Sequence, residues 1–221
     1  MSILKLLFIS CFFVTIFVTY YVLHSPTIAK IHIQNITTSG DIDRDGINDI
    51  EDILEWARAE IKNKTQYKSA YYAGGYPPEN EGVCTDVVWR ALQNAGIDIK
   101  SQIDLDIQNN TEVYTRVAGK PDPNIDFRRV PNLDTFLKRY TTSLTTKIIP
   151  EDIVNLSEWQ PGDIVMFSFP NQHTGIISDK RDTKGVPYII HNYSDFPRED
   201  VWVFYADKKK FPIIGHYRWK Y

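Results

Sequence analysis

The sequence contains little cysteine, with only Cys11 and Cys84 among its 221 residues. Cys11 lies inside an apolar stretch near the N-terminus, so Cys84 has no partner for an intramolecular disulfide. The C-x-x-C, H-x-x-x-H and H-E-x-x-H spacings that typically hold zinc are also absent. These absences exclude a disulfide-stabilised scaffold and leave Cys84 as a single free thiol.

An excess of positive charge is missing as well. The chain has 25 Lys and Arg against 28 Asp and Glu, for a formal net charge of −3. Without a basic stripe to compensate phosphate charge, a nucleic-acid partner is excluded. The composition, 43% hydrophobic and 13% aromatic, is typical of a globular domain, and we expect a monomer.

One long hydrophobic run is present, at the N-terminus. Residues 6–23, LLFISCFFVTIFVTYYVL, carry no charge and follow Lys5. Their length reaches the ~17–25 residues of a membrane span and exceeds the ~7–15 residues of a signal-peptide core. We therefore predict that residues 1–29 form a membrane anchor in preference to a cleaved signal segment. The rest of the chain would then be extracytoplasmic, membrane-anchored or secreted.

After a predicted tether over residues 30–40, residues 41–64 combine an acidic loop with an amphipathic helix. Four apolar residues fall at i, i+3, i+4 and i+7, which predicts one buried helix face: Ile50, Ile53, Leu54 and Ala57. The loop resembles the D-x-D-x-D-G calcium loop, in which alternate carboxylates converge on one hard cation. Its candidate ligands are Asp41, Asp43, Asp45, Asp49 and Asp52.

The acidic loop departs from the calcium pattern at two positions. Asn48 stands where an apolar residue is usual, and Asp52 replaces the longer Glu, as in thrombospondin-type and dockerin-like loops. The alternative is an acidic turn that complements the helix dipole. If calcium binds, we expect it to be structural, with no metal or organic cofactor needed for catalysis.

Helices precede strands along the remaining chain. Residues 84–96, 98–110 and 133–140 carry helical patterns. GDIVMFSF, HTGIISD, VPYIIHNYS and VWVFYAD then predict successive short strands, with a hairpin turn at KRDTKG. Helices followed by strands indicate an α+β fold, in which N-terminal helices pack on a C-terminal antiparallel sheet. The predicted domain spans residues 65–221.

Cys84 has the features of a catalytic thiol. A cysteine at a helix N-terminus is placed where the dipole and free N–H groups favour the thiolate and lower its pKa. The base must come from elsewhere, and His173 and His191 fall at the same edge of neighbouring strands if those strands pair across the hairpin. His173 would take the thiol proton, and either His191 or Asn192 would orient its ring, since alternation points these two residues to opposite faces. A zinc site built from the thiol and the two imidazoles is the rival use of the same groups.

Several sequence blocks resemble known families. The cysteine followed by PGDIVMF, HTGIISD and IIHN is similar to the NlpC-type cysteine peptidases of papain-like fold. GVCTDVVWRAL, NIDFRRVPNL, HTGIISD and GHYR also resemble an uncharacterised bacterial domain-of-unknown-function family, the YijF-like proteins, over roughly residues 50–219. The NlpC-type resemblance implies Cys84 as nucleophile, His173 as base and His191 as the orienting residue. NlpC-type enzymes usually have Asp-Cys-Ser where this chain has Val83-Cys84-Thr85, so specificity is not transferred.

Other side chains are candidates for substrate binding. Tyr72 and Tyr76 lie in a Gly- and Pro-rich loop that precedes Cys84, where they could line a cleft or else serve as packing or surface residues. Arg128 could clamp a substrate carboxylate, or else form a structural ion pair.

We therefore expect an extracytoplasmic cysteine hydrolase, peptidase or amidase, that cleaves the amide bonds of cell-wall peptides through a thioester. A catalytically silent wall-binding module of the same fold is one alternative. An acyltransferase or thioesterase that retains the covalent chemistry is the other.

Overall fold

The computed structural model describes residues 31–168 and 172–220. No helix within these two ranges is both long and apolar enough to cross a membrane, and the predicted anchor at residues 1–29 lies outside them. The fold is α+β, as predicted, with helices first and an antiparallel sheet in the second half. The helices are α1 Asp49–Lys62, α2 Cys84–Asn94, α3 Ile99–Asn109, α4 Val130–Tyr140, α5 Ile153–Ser157 and α6 Trp202–Tyr205.

The main sheet has six strands in the order β3-β8-β4-β5-β6-β7, and every neighbouring pair is antiparallel. Its strands are β3 Thr142–Ser143, β4 Ile164–Phe167, β5 His173–Arg181, β6 Pro187–His191, β7 Arg198–Asp200 and β8 Ile213–Arg218. A short parallel pair, β1 Gln66–Tyr67 and β2 Glu81–Gly82, precedes α2. The register pairs Ile176 with Ile190, which confirms the predicted hairpin between β5 and β6.

Both faces of the sheet are buried, and alternate residues along each strand go to opposite faces. Ile164, Ile176 and Ile190 join the helices in one hydrophobic cluster, which also contains Cys84. We call the sheet face that carries this cluster the helix face. Ile177 and Ile189 join a second cluster on the opposite face, which we call the aromatic face because Trp159, Phe167, Phe204 and Phe211 pack there.

Helix α1 forms where its apolar stripe predicts it, and all four predicted positions, Ile50, Ile53, Leu54 and Ala57, are buried. Residues 31–36 differ from the predicted tether because they lie against the domain. Ile33 is buried in the cluster of the aromatic face, and the backbone N–H of Ile36 donates to Gln160 Oε1 at 2.9 Å.

The strand predicted over VWVFYAD is wrong. Residues Trp202–Tyr205 form helix α6, and the outermost strand is instead β7. A short continuous apolar run does not distinguish a strand from a buried helical turn, because neither has a visible periodicity over so few residues.

Candidate active site

Cys84 is the first residue of α2, as predicted. The helix begins there because Asp86, in its first turn, accepts a hydrogen bond from the backbone N–H of Val83 at 2.7 Å. The Asp86 carboxylate also accepts from Trp89 Nε1 at 2.7 Å and forms a two-pronged ion pair with Arg128. The start of the helix is therefore fixed by a buried polar network.

The thiol of Cys84 is only 5% exposed, and burial raises its pKa to about 11. The charge of Asp86 raises the pKa further. Backbone N–H groups, led by that of Thr174 on β5, act in the opposite direction because they donate to the sulfur. The sequence predicts a lowered pKa from the helix terminus, but the loss of hydration outweighs the few N–H groups that face the thiol.

His173 and His191 are in direct contact. Nε2 of His173 lies 2.7 Å from Nδ1 of His191, and the two residues are 2% and 0% exposed. Of the two orienting residues left open by the sequence, the structure therefore brings His191 to His173. Burial and then the neighbouring His191 hold the pKa of His173 well below its usual value, so His173 is neutral at pH 7.

Asn192 points away from this pair, as strand alternation requires. Its Nδ2 donates to the carbonyls of Gly82 at 3.3 Å and Thr65 at 3.4 Å. Its Oδ1 is buried and has no hydrogen-bond partner within the described ranges. Asn192 therefore anchors the segment that leads into Cys84.

Asp200 is a member of the site that the sequence analysis missed. Its Oδ1 lies 3.5 Å from Nε2 of His191, which is within ion-pair range but longer than an ordinary hydrogen bond. Nε2 of His191 is buried and has no hydrogen-bond partner within the described ranges, so Asp200 is the acid that lies within ion-pair range of this nitrogen.

The thiol and the imidazole reach the same end of β5 from different faces of the sheet. Cys84 packs with the helix-face cluster, whereas the ring of His173 lies 5.9 Å from that of Phe167 on the aromatic face. They are linked through the backbone, because the N–H that meets the Cys84 sulfur belongs to Thr174, the residue after His173. Among the described residues, no hydrogen bond joins the thiol to the His173 ring.

Two tyrosines that the sequence analysis missed, Tyr67 and Tyr193, lie near the candidate catalytic residues. Burial raises the pKa of the Tyr67 hydroxyl, and the charges of Cys84 and then Tyr193 add to the effect. Tyr67 is 42% exposed and Tyr193 is 37% exposed, and the Tyr193 ring lies 5.3 Å from that of His173. Tyr67 and Tyr193 are therefore exposed groups in the neighbourhood of the buried pair.

Two surface pockets lie elsewhere. One, of about 250 Å³, is lined on the aromatic side by Lys147, Phe204 and Phe211 among others. The second, of about 500 Å³, lies beside α1 at Arg58 and Asp179. Neither of these two pockets is lined by Cys84 or His173.

The three predicted substrate-binding residues, Tyr72, Tyr76 and Arg128, are engaged in contacts within the protein. Arg128 donates from Nε and Nη2 to both oxygens of Asp86, at 2.7 and 2.8 Å, and from Nη1 to the Ala70 carbonyl at 2.9 Å. It therefore has the structural ion pair that was the alternative to a substrate clamp. The hydroxyl of Tyr72 donates to Glu81 at 2.7 Å, and the ring of Tyr76 packs on Trp89.

The acidic loop before α1 brings together the carboxylates predicted to bind a metal. Asp41, Asp43 and Asp45 have oxygens that all lie within 4.8 Å of one another. Asp49 and Asp52 are buried at the start of α1. Burial, followed by the charges of Asp45 and Asp43, raises the pKa of Asp52 to about 6.

The comparisons with known proteins agree with the resemblance to the YijF-like proteins. Residues 54–219 match the family described as "Domain of unknown function (DUF1287)". The chain is 35% identical over 175 residues to "Uncharacterized protein YijF" of Escherichia coli (strain K12), which covers 76% of this chain and 80% of that protein. No solved structure matches the chain.

Proposed function

We propose that this chain, which belongs to the DUF1287 family, is a thiol hydrolase that cleaves amide bonds through a thioester on Cys84. The observation that carries the proposal is the 2.7 Å contact between His173 and His191, at the end of the strand whose next N–H meets the Cys84 sulfur. A thiol at a helix N-terminus, an imidazole and a polar group that orients the imidazole are the parts that such catalysis uses. Their order along an α+β chain supports a papain-like, NlpC-type fold as part of the proposal.

The proposed reaction has two steps. Sγ of Cys84 attacks the amide carbonyl carbon as its proton passes to Nδ1 of His173, and the collapse of the tetrahedral intermediate transfers that proton to the leaving amine. A water molecule, deprotonated by His173, then attacks the thioester, releases the acid and returns the proton to the thiol. The backbone N–H of Cys84 is the candidate donor to the oxyanion.

His191 and Asp200 are positioning residues in this scheme. Because Asp200 lies 3.5 Å from Nε2 of His191, Nδ1 of His191 remains an acceptor for Nε2–H of His173. When His173 becomes an imidazolium, the His191–Asp200 pair stabilises its charge. The same pair keeps Nδ1 as the nitrogen that exchanges protons with the thiol.

Substrate binding must also bring the thiol and the imidazole together. Both are almost fully buried and neutral in the free protein, and catalytic hydrogen bonds that are long in free enzymes often tighten in the complex. Tyr67 is close enough to Cys84 to be affected by its charge, and the Tyr193 ring contacts His173, so we propose these exposed tyrosines as the first contacts of the substrate. Cell-wall peptide is the proposed substrate, since the N-terminal segment predicts an extracytoplasmic protein.

The raised pKa of the Cys84 thiol favours a second candidate function. A protonated, buried thiol is the expected state of a wall-binding module that keeps this fold without catalysis. Such a module would bind peptidoglycan and leave it intact.

The test is incubation of the full-length protein, in detergent micelles, with purified peptidoglycan. Mass spectrometry should detect released peptides with new termini for the wild type and for His32→Ala, which removes an exposed histidine. Cys84→Ala and His173→Ala should release none, and His191→Ala should be slower by about 10²- to 10⁴-fold.

Equal products from wild type and Cys84→Ala would reject the hydrolase for this substrate, and co-sedimentation without products would favour the binding module. Products in which an added amine replaces water would indicate acyl transfer.

A further inference from the structure

The loop of residues 41–52 carries buried carboxylate oxygens that no donor satisfies. Asp49 is 0% exposed and Asp52 is 3% exposed, and Oδ2 of each has no hydrogen-bond partner within the described ranges. The other oxygen of Asp49 accepts from the backbone N–H of Ile42 at 2.8 Å. A buried anionic oxygen without a partner is costly unless a positive charge compensates it.

These two buried carboxylates follow, in the same loop, the exposed cluster formed by Asp41, Asp43 and Asp45. Asp43 and Asp45 are close enough that their charges act directly on Asp52. No Lys or Arg ion pair is seen for these five acids within the described residues, whereas buried acids elsewhere, such as Asp86 and Asp163, are paired with arginine. A cation from outside the chain would compensate these charges.

The spacing identifies the class of cation. The five acids occupy the first, third, fifth, ninth and twelfth positions of a loop of about 12 residues, and Gly46 at the sixth has a φ of 95°. The carbonyl of Ile47 stands at the seventh position, where such loops supply a backbone oxygen. Asn48, which departs from the calcium pattern, is the N-cap of α1 and accepts from the Glu51 N–H at 3.1 Å.

We propose that residues 41–52 bind one Ca²⁺ ion. The carboxylates of Asp41, Asp43, Asp45 and Asp52 and the carbonyl of Ile47 are the direct ligands, and Asp49 contributes directly or through a water molecule. An all-oxygen set of this size suits the ~6–8 ligands of Ca²⁺ better than Mg²⁺, which keeps several waters, or Zn²⁺, which prefers nitrogen and sulfur.

The site lies against the end of the helix that carries the proposed nucleophile. A Cβ atom added to Gly96, just after α2, would lie 3.0 Å from the backbone nitrogen of Asp43 and 3.0 Å from the side chain of Ile42. The bound ion would fix this contact by neutralising the repulsion within the loop. Calcium binding therefore stabilises the packing of α1 and its loop on α2, independently of any thiol chemistry.

The test is a calcium titration of the full-length protein in detergent after treatment with EGTA. We expect one EGTA-reversible site per chain by isothermal titration calorimetry. The melting temperature should rise by roughly 5–10 °C when free calcium is about 100 times Kd, and Mg²⁺ should give a smaller rise. Asp45→Asn should weaken binding by about 10-fold or more, because it removes a ligand charge but keeps an acceptor for the Ile47 N–H.

Glu51→Gln is the matched control, since Glu51 is an exposed acid of α1 that lies outside the cluster, and it should bind like the wild type. Hydrogen exchange should show calcium-dependent protection at residues 41–52 and near Gly96. The proposal is overturned if the wild type binds no calcium up to millimolar concentrations, if Asp45→Asn binds like the wild type, or if protection appears only elsewhere.

Discussion

At the scale of single residues, Cys84 illustrates a competition between two effects on one thiol. The helix N-terminus and the Thr174 N–H favour the thiolate, whereas burial favours the thiol and wins, with a pKa of about 11. His173 is also held neutral by burial. The free protein therefore keeps the proton on sulfur, and the proposed reaction requires the thiol to ionise when substrate binds.

We predict that Cys84 is alkylated slowly in the free protein. At pH 7 a thiol with a pKa of about 11 has roughly 300-fold less thiolate than an ordinary cysteine with a pKa of about 8.5. The rate of reaction with iodoacetamide should therefore climb from pH 9 to pH 11 without a plateau near neutrality. Peptide mass spectrometry measures this rate separately for Cys84 and Cys11.

The same protein in concentrated urea is the control for this prediction. Unfolding exposes the thiol to water, so the midpoint of the rate profile should move down to about 8.5. A midpoint below 8 in the folded protein would mean that the N–H groups outweigh burial, contrary to this account.

At the scale of secondary-structure elements, Asp163 of the Gly162-Asp163 pair lies directly before β4 and connects β4 to its neighbour β8. The buried carboxylate of Asp163 accepts from His216 Nε2 at 2.9 Å and from Arg218 Nε and Nη2 at 2.7 and 2.8 Å, all on β8. It also accepts from the backbone N–H of Gln160 at 2.8 Å, which fixes the turn before β4. One side chain thus determines where β4 begins and how β8 aligns with it.

We predict that Asp163→Asn destabilises the protein by about 3–5 kcal/mol, because it leaves buried donors facing an amide that cannot satisfy them all. Urea unfolding followed by circular dichroism measures the change. Asp207→Asn, at an exposed aspartate, should change stability by less than about 0.5 kcal/mol. A comparable small loss for Asp163→Asn would show that β8 is held by its backbone ladder alone.

The elements that the sequence predicted best are those whose pattern is local. Helix α1 and strands β5 and β6 have clear stripes or a marked turn, and they form where expected. Strand β8 was missed because its pairing with β4 is non-local and Gly215 interrupts its apolar pattern. The need for glycine at position 175, in the HTGIISD block, becomes clear only from the pairing of β5 with β6. A Cβ atom at this position would lie 2.7 Å from the Ile189 side chain.

In the candidate site, too, the sequence predicted the residues but not the contacts between distant parts of the chain. Cys84, His173 and His191 could be proposed from residue type and strand position, but the choice between His191 and Asn192 required the actual faces of β6. Asp200 reaches His191 from β7, a strand that the sequence placed a few residues too late. Similarly, the role of Arg128 depends on Asp86, a partner 42 residues away in the chain.

At the scale of the whole molecule, the sheet separates two hydrophobic clusters, and each cluster holds one part of the candidate site. The helix-face cluster contains the thiol, and on the aromatic face Phe167, Tyr193 and Trp202 pack around the two imidazoles. A neutral His173 belongs to the packing of that face. Its protonation should therefore destabilise the entire fold, beyond any effect on catalysis.

We predict that the free energy of unfolding falls as the pH drops below about 6.5, the ordinary pKa of histidine, which His173 regains when the chain unfolds. Below that pH the unfolded state binds a proton that the folded state does not bind. The contribution of a neutral His173 to stability is therefore complete above pH 6.5 and declines below it.

The decline attributable to His173 is at most about 1.4 kcal/mol per pH unit. The charge of the neighbouring His191 acts in the same direction as burial, since both lower the pKa of His173. Urea unfolding between pH 7 and pH 4.5 measures the slope of the free energy of unfolding against pH. This slope should be shallower for His173→Gln than for the wild type, and unchanged for His32→Gln, which alters an exposed histidine. Equal slopes for all three proteins would mean that His173 already gains its proton in the folded state, which would place a charged imidazole beside His191 and contradict the tautomer order proposed for the site.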